Sequence, residues 1–141
     1  MRKLKWSETY AIHVPEIDAE HRAIFRVAGE LAAAALPDAA PEQLEPILAD
    51  VAAHIAGHFA HEERMMQSTG YSGLAWHKKQ HHAAAGRALQ LIQECRAGTA
   101  GAARTLLEYL SDWMHDHIRL SDQMLGAHLR NYERHHSRLA S

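Results

Sequence analysis

Apolar residues recur at alternating spacings of three and four along four long stretches of the chain, the period of a helix that buries one face. The first stripe is Ile17, His21, Ile24, Ala28, Leu31 and Ala35; the second is Leu44, Leu48, Val51, Ile55, His58, Glu62 and Met65. The third runs Leu74, His77, His81, Ala84, Ala88, Ile92 and Cys95, and the fourth Leu106, Leu110, Trp113, His117, Leu120 and Met124. Punctuation residues set the boundaries. An N-terminal arm, residues 1–16, ends at Val14-Pro15, because a residue before proline is pushed out of the helical region. The first helix is expected from Ile17 or Asp18 to Leu36, stopped by Pro37-Asp38. The second runs from Pro41 or Glu42 to Thr69 with Gly70 as its cap, and Pro46 marks either its first turn or a kink. The third opens after Ser72-Gly73 and ends at Ala97-Gly98; the fourth starts between Thr99 and Ala102 and continues past Asp122. Short connections make neighbouring helices antiparallel. The expectation is an all-α, up-down-up-down four-helix bundle over residues 17–129, with a C-terminal extension at 130–141.

Composition strengthens this picture. The chain has 141 residues, the size of one compact domain. Its 26 Ala outnumber the 14 Val, Ile and Thr together, so backbone preference favours helix over strand. Fifteen Lys and Arg against 17 Asp and Glu leave a net charge of −2, which gives no pull toward nucleic acid or an anionic membrane. No stretch approaches the roughly 20 apolar residues of a membrane span, and the N-terminus has no signal-peptide run, so a cytoplasmic location is expected. Cys95 stands alone, which removes disulfides and cysteine-based metal sites from consideration. Histidine alone is far outside ordinary usage, with 13 copies.

Every one of the four stripes contains a histidine. His77 and His81 are four residues apart on one helix face, a spacing at which two imidazoles can bind one ion, and His58 and Glu62 repeat it with a carboxylate. If the helices alternate in direction, His21, His58, His81 and His117 each lie 15 or 16 residues from the same end of the bundle. That places all four at one level, about 24 Å from that end at 1.5 Å per residue. A buried cluster of five imidazoles and one carboxylate is the result, and without metal it would strand polar groups in the core. Five histidines exceed one tetrahedral site and suit two octahedral ions, which need bridging carboxylates. Glu62 is one; the second must come from the fourth helix, where Asp112, Asp116 and Asp122 are available. Asp122 is awkward on an ideal helix, since five residues from His117 is roughly 140° of rotation, unless the helix bulges locally.

The stretches IDAEH at 17–21, HFAHEERMM at 58–66, HKKQH at 77–81 and HIRLSD at 117–122 resemble the signature segments of hemerythrins, in particular single-domain bacterial hemerythrins. The resemblance runs from Trp6 to about Leu129. It implies a non-haem di-iron site with an oxo or hydroxo bridge that binds dioxygen reversibly. By this resemblance His77, His81 and His117 complete one iron, His21 and His58 the other, and Glu62 and Asp122 bridge them. Dioxygen would then bind at the open position on the two-histidine iron, behind an apolar wall of Ile24, Phe59, Trp113 and Met114. Met114 departs from the usual Leu and brings an oxidisable thioether into that wall. Glu20 stands where the family commonly has Gln, and Leu125 replaces a frequent aromatic.

The remaining histidines divide differently. His54 shares a face with His58 and is a candidate for a supporting role, whereas His61 and His82 are expected on the bundle flank. His128, His135 and His136 fall near or in the extension, where Leu125, Leu129 and Tyr132 continue a short apolar stripe.

The function expected is dioxygen storage, delivery or sensing without turnover, by a monomer that works with dioxygen and, for delivery or sensing, with a separate O2-using enzyme or sensor. The alternative is a di-iron redox enzyme acting on peroxide or nitric oxide, or a ferroxidase. Against the ferritin-like form of that alternative, the one Glu-x-x-His in the chain is Glu133 to His136 in the tail. A zinc protease is disfavoured because Met65 stands where the HExxH motif requires its second histidine.

Overall fold

The computed structural model describes residues 4–35 and 39–140, with side chains to residue 137. The described residues form five α-helices: α1 (Pro15–Ala34), α2 (Pro41–Ser68), α3 (Leu74–Arg96), α4 (Ala102–His117) and α5 (Gln123–Ala140). A π turn at Ile118–Asp122 joins α4 to α5, and a short 3-10 turn at Glu8–Tyr10 precedes the bundle. The first four helices pack as an all-α four-helix bundle, α1 against α2 and α4, and α3 against α2 and α4.

Helix α1 begins at Pro15, earlier than Ile17 or Asp18, because a proline at the first helical position has no N–H to leave unsatisfied. Its expected stop at Leu36 and Pro37-Asp38 lies outside the described residues. Pro41 starts α2 in the same way, and Gln43 Oε1 accepts the Ala40 N–H at 2.9 Å. Pro46 lies inside α2, within its first two turns. At the far end of α2, Gly70 adopts φ +66, and Tyr71 N–H donates to Met66 O while Gly70 N–H donates to Gln67 O. This paired closure satisfies carbonyls that the helix end would leave open, and its left-handed residue favours glycine.

Two buried apolar clusters stack along the bundle. The lower one contains Leu31, Leu48, Val51, Leu91, Ile92 and Leu106, and the upper one contains Ile12, Ile17, Phe25, Met66, Ile118 and Leu125. Fully burying such a side chain contributes roughly 1.5–3 kcal/mol. The arm closes the upper end. Asp18 accepts the N–H groups of Ile12 and His13 at 2.9 and 3.1 Å, Gln123 Nε2 donates to Ala11 O at 3.0 Å, and Arg130 donates to Ile12 O. A Cβ at residue 126 would come within 2.8 Å of Ile12 O, so Gly126 is what lets the arm lie this close to α5.

The fourth stripe departs from its expected course. Leu120 and Met124, read as buried, are 61% and 49% exposed, while Ser121, Asp122, Leu125 and Leu129 face inward. The π turn inserts one extra residue, and at about 100° per residue that shifts the buried face from 120 and 124 to 121 and 125. The second stripe also ends one residue later than expected, with Met66 fully buried and Met65 partly so. Beyond the π turn α5 continues without a break into the C-terminal extension, where His135 and His136 are exposed.

Candidate metal centre

Between the two apolar clusters lies a layer of seven polar side chains from all four bundle helices and the π turn. His21 comes from α1, His58 and Glu62 from α2, His77 and His81 from α3, His117 from the last residue of α4 and Asp122 from the end of the π turn. None is more than 6% exposed. Asp112 and Asp116, the other two acids weighed for the fourth helix, are exposed. The structure thus brings together the whole set read from the sequence, and the local bulge turns Asp122 toward His117.

Each carboxylate divides its two oxygens between two groups of imidazoles. Glu62 Oε1 lies 2.7 Å from His77 Nε2 and 3.2 Å from His81 Nε2; its Oε2 lies 2.9 Å from His58 Nε2 and 3.8 Å from His21 Nε2. Asp122 Oδ1 is 3.1 Å from His77 Nε2 and 3.2 Å from His117 Nε2, and Oδ2 is 3.1 Å from His21 Nε2. Ligand-type atoms cluster within 4.8 Å of one another in two sets, Glu62–His77–His81–His117 and His21–His58–Glu62–Asp122.

His77 Nε2 and Glu62 Oε1 form a hydrogen bond at 2.7 Å, but proximity does not make the other contacts hydrogen bonds. His21 Nε2, His81 Nε2, Glu62 Oε2 and both Asp122 oxygens have no aligned hydrogen-bond partner although they are fully buried. Stranding such groups in a core costs on the order of 1–3 kcal/mol each. A cation held among them would remove that cost, and a set of imidazoles and carboxylates suits iron and related first-row metals. The residues present therefore fit the two metal ions that the sequence leads one to expect.

The same crowding shapes the protonation of the metal-free cluster. Burial works against a charged His58, but the hydrogen bond to Glu20 and the neighbouring Glu62 carboxylate outweigh it and push the imidazole pKa up to about 10. His77 is opposed by burial and raised to about 9 by Asp122 and Glu62. Burial holds His117 below the usual histidine range. Glu62 and Asp122 resist the upward push of burial and lie below the usual carboxylate range, because the surrounding imidazoles stabilise their charge.

Two acids just outside this layer have roles that the sequence reading did not assign. Glu20 accepts the His58 Nδ1–H at 2.7 Å through one oxygen and the His61 Nδ1–H at 2.6 Å through the other. Glu63 accepts the His81 Nδ1–H at 3.0 Å. His61 does sit on the flank, as expected, yet it belongs to this network. His54 instead bonds its own helix at Asp50 O. Glu20 and Glu63 neighbour His21 and Glu62 in sequence, about 100° off the buried stripe, so helical periodicity offered no signal for them.

Of the expected wall residues, Phe59 stacks on His81 with ring centres 3.9 Å apart, and Trp113 stacks on His117 at 4.2 Å. Phe59, Trp113 and Met114 line one small cavity of about 10 Å³. Ile24 does not line it and packs in the upper cluster. Among the described residues no helix is long and apolar enough to cross a membrane.

The sequence profile described as the hemerythrin HHE cation binding domain matches residues 13–129. The chain is 30% identical over 142 residues to a bacteriohemerythrin from Stenotrophomonas maltophilia, covering 96% of this chain and 90% of that protein. It is 33% identical over 119 residues to a myohemerythrin from Sipunculus nudus, covering 83% and 86%. A crystal structure of wild-type hemerythrin superposes with a TM-score of 0.79 at 27% identity, covering 89% of this chain and 96% of that one.

Proposed function

The chain belongs to the hemerythrin family, and from that premise we propose that it binds dioxygen reversibly at a pair of iron ions held in the buried histidine–carboxylate layer. His77, His81 and His117 would hold one ion and His21 and His58 the other, with Glu62 and Asp122 shared between them. The observation that carries this reading is the division of each buried carboxylate, one oxygen toward each group of imidazoles. When bound, the iron pair with its oxo or hydroxo bridge supplies the two electrons that dioxygen accepts.

The protein's own part is to orient and to exclude. Glu20 and Glu63 accept hydrogen bonds from the Nδ1–H groups of His58 and His81, which fixes the tautomer and leaves each Nε2 free for a metal ion. Phe59 and Trp113 lie flat against His81 and His117, so those rings cannot swing away. Phe59, Trp113 and Met114 present an apolar wall, which slows the admission of water and protons that would discharge a reduced oxygen species. Histidine-rich ligation with only two carboxylates carries little negative charge and favours binding over the high-valent iron of oxygenases.

Purified protein should contain two irons per chain. Its reduced form should be colourless, colour in air and bleach again under argon over repeated cycles, as followed by visible absorption. Irreversible oxidation on first exposure to air, or steady turnover with a reductant, would instead support a redox enzyme.

A further inference from the structure

A deep-lying site for an apolar gas needs a way in, and the walls of this bundle differ in what they would admit. The upper end is covered by the arm, with Tyr10, Ile12 and Val14 all buried. A broad groove beside His58 is mostly apolar in its lining but is flanked by the charged and polar side chains of Glu20, His61 and Arg64, which favour water at its mouth. The seam between α2 and α3 is different. There a surface groove of about 210 Å³ is floored by Ala52, Ala56, Ala85 and Ala88 and is almost wholly carbon-lined.

This groove and the small cavity beneath the proposed metal centre share two residues, Ile55 and Ala88. On the outer side Ile55 meets the groove; on the inner side it meets the cavity bounded by Phe59, Trp113 and Met114. That cavity has room for about one molecule of water size, and its lining exposes no polar area. Alanines supply four of the groove's seven lining residues, and Ile55, Leu89 and Ile92 are its longer side chains. Ile55 and Ala88 lie between the two spaces, and of these only Ile55 has a rotamer that can change; it is buried, so such a change takes nanoseconds or longer in a packed core.

We propose that dioxygen reaches the centre through the α2–α3 seam, crossing from the alanine-floored groove to the cavity behind Phe59 by way of Ile55. The proposal rests on dioxygen being the ligand, as argued above. A route differs from a binding site in its thermodynamic signature: narrowing it slows arrival and escape by the same factor and leaves the equilibrium constant unchanged.

Two experiments test this separately from the identity of the ligand. Xenon under pressure, a non-reactive apolar probe, should occupy the seam behind Ile55 in the protein as isolated, whatever its activity toward dioxygen. No xenon there overturns the route. In iron-loaded protein, stopped-flow mixing of Ala56→Trp and Ala52→Phe with dioxygen should show association and dissociation slowed together by about an order of magnitude, with the dissociation constant unchanged. Ile55→Ala should speed both. Gly57→Phe, which narrows the groove beside His58 instead and whose added Cβ would meet nothing within 4 Å, should leave both rates unchanged. Unaltered rates in the seam variants, or slowing in Gly57→Phe alone, overturns the proposal. A protein that binds xenon in the seam but takes up no dioxygen would point to a different failure, that of the dioxygen reading itself.

Discussion

The two sides of the histidine layer are held in place by different means. On the side of His77, His81 and His117, aromatic rings do the holding: Phe59 lies parallel to His81 within 4° and Trp113 within 14° of His117. The rings of His77 and His117 also meet edge to face at 4.7 Å. On the side of His21 and His58, Phe59 reaches His58 only at a tilt and 6.0 Å, while the two imidazoles meet edge to face at 4.6 Å, much as His77 and His117 do. Here the restraint is a hydrogen bond to Glu20, a carboxylate 32% exposed to solvent. One side is therefore packed and the other tethered. In the proposed function the packed side carries the fully ligated iron and the tethered side the iron with room for dioxygen, so rigidity is greatest where no exogenous ligand has to fit.

The largest effect expected is one that removes the distinction. Glu62 supplies an oxygen to both groups, so Glu62→Ala should lower iron affinity on both sides by at least about 100-fold, more than the outer partners of a metal site typically contribute. Iron counted per chain should fall well below two, and the visible charge-transfer bands should vanish. Retention of two irons would show that Glu62 is not shared.

Smaller changes should separate the sides. Glu20→Gln removes the charge behind His58, and Glu63→Gln removes the charge behind His81. Each is expected to weaken metal affinity by about tenfold, the low end for an outer hydrogen-bond partner. The packed side has a second restraint in Phe59, so the loss in Glu63→Gln should be the lesser of the two. Stepwise cobalt titrations followed by absorption would measure both, and equal losses would break the contrast between packing and tethering.

Protonation provides a third measure, and it involves both sides. The raised values of His58 and His77 stabilise the metal-free fold fully below about pH 6.5, the ordinary histidine value, and this contribution is lost as pH rises through about 9 and 10. His117, lowered by burial, acts in the opposite sense and weakens the fold as pH falls below its ordinary value. Glu62 and Asp122 contribute above their ordinary values near 4.5 and 3.8 and lose that contribution on acidification. Metal-free protein should accordingly melt at lower temperature as pH is raised from 6.5 to 10. Iron-loaded protein should not follow, because the metal replaces those protons, and its stabilising increment should widen with pH. Parallel curves for the two forms would show that the cluster protons are not displaced.

How much of this centre was legible from the residues alone depended on whether a regular period reached them. His21, His58, His77 and His81 lie on uninterrupted helices, so spacing of three and four and a common depth along the bundle place them together correctly. The fourth helix breaks that regularity. Extending a 3.6-residue period through the π turn puts Leu120 and Met124 inside and leaves Asp122 about 140° from His117, and the structure reverses both. The resemblance to the family selected Asp122 where spacing left three acids open. The roles of Glu20, His61 and Glu63 went unassigned for another reason. They act from beside the stripe, through contacts between helices that no single-helix pattern describes.

The smallest effect expected concerns the soft part of the wall. Met114 is 2% exposed and lines the same cavity as the two aromatic plates, Phe59 and Trp113, so any reduced oxygen species released from the centre meets a thioether there. Thioethers oxidise to sulfoxides, which are polar and would disrupt the apolar lining. Met114→Leu keeps the volume and removes the sulfur, so stability should change by less than about 1.5 kcal/mol. The stiffer leucine should slow loss of the oxygenated form modestly, while iron content and dioxygen affinity stay the same. Met124, 49% exposed, serves as the internal control. After repeated cycles of air and reductant, peptide mass mapping of the wild type should find oxygen added at Met114 before Met124, because the oxidant is generated inside. Oxidation at Met124 alone would mean that the oxidant comes from solvent, and the cavity beside the aromatic plates would then not be where the reduced species escapes.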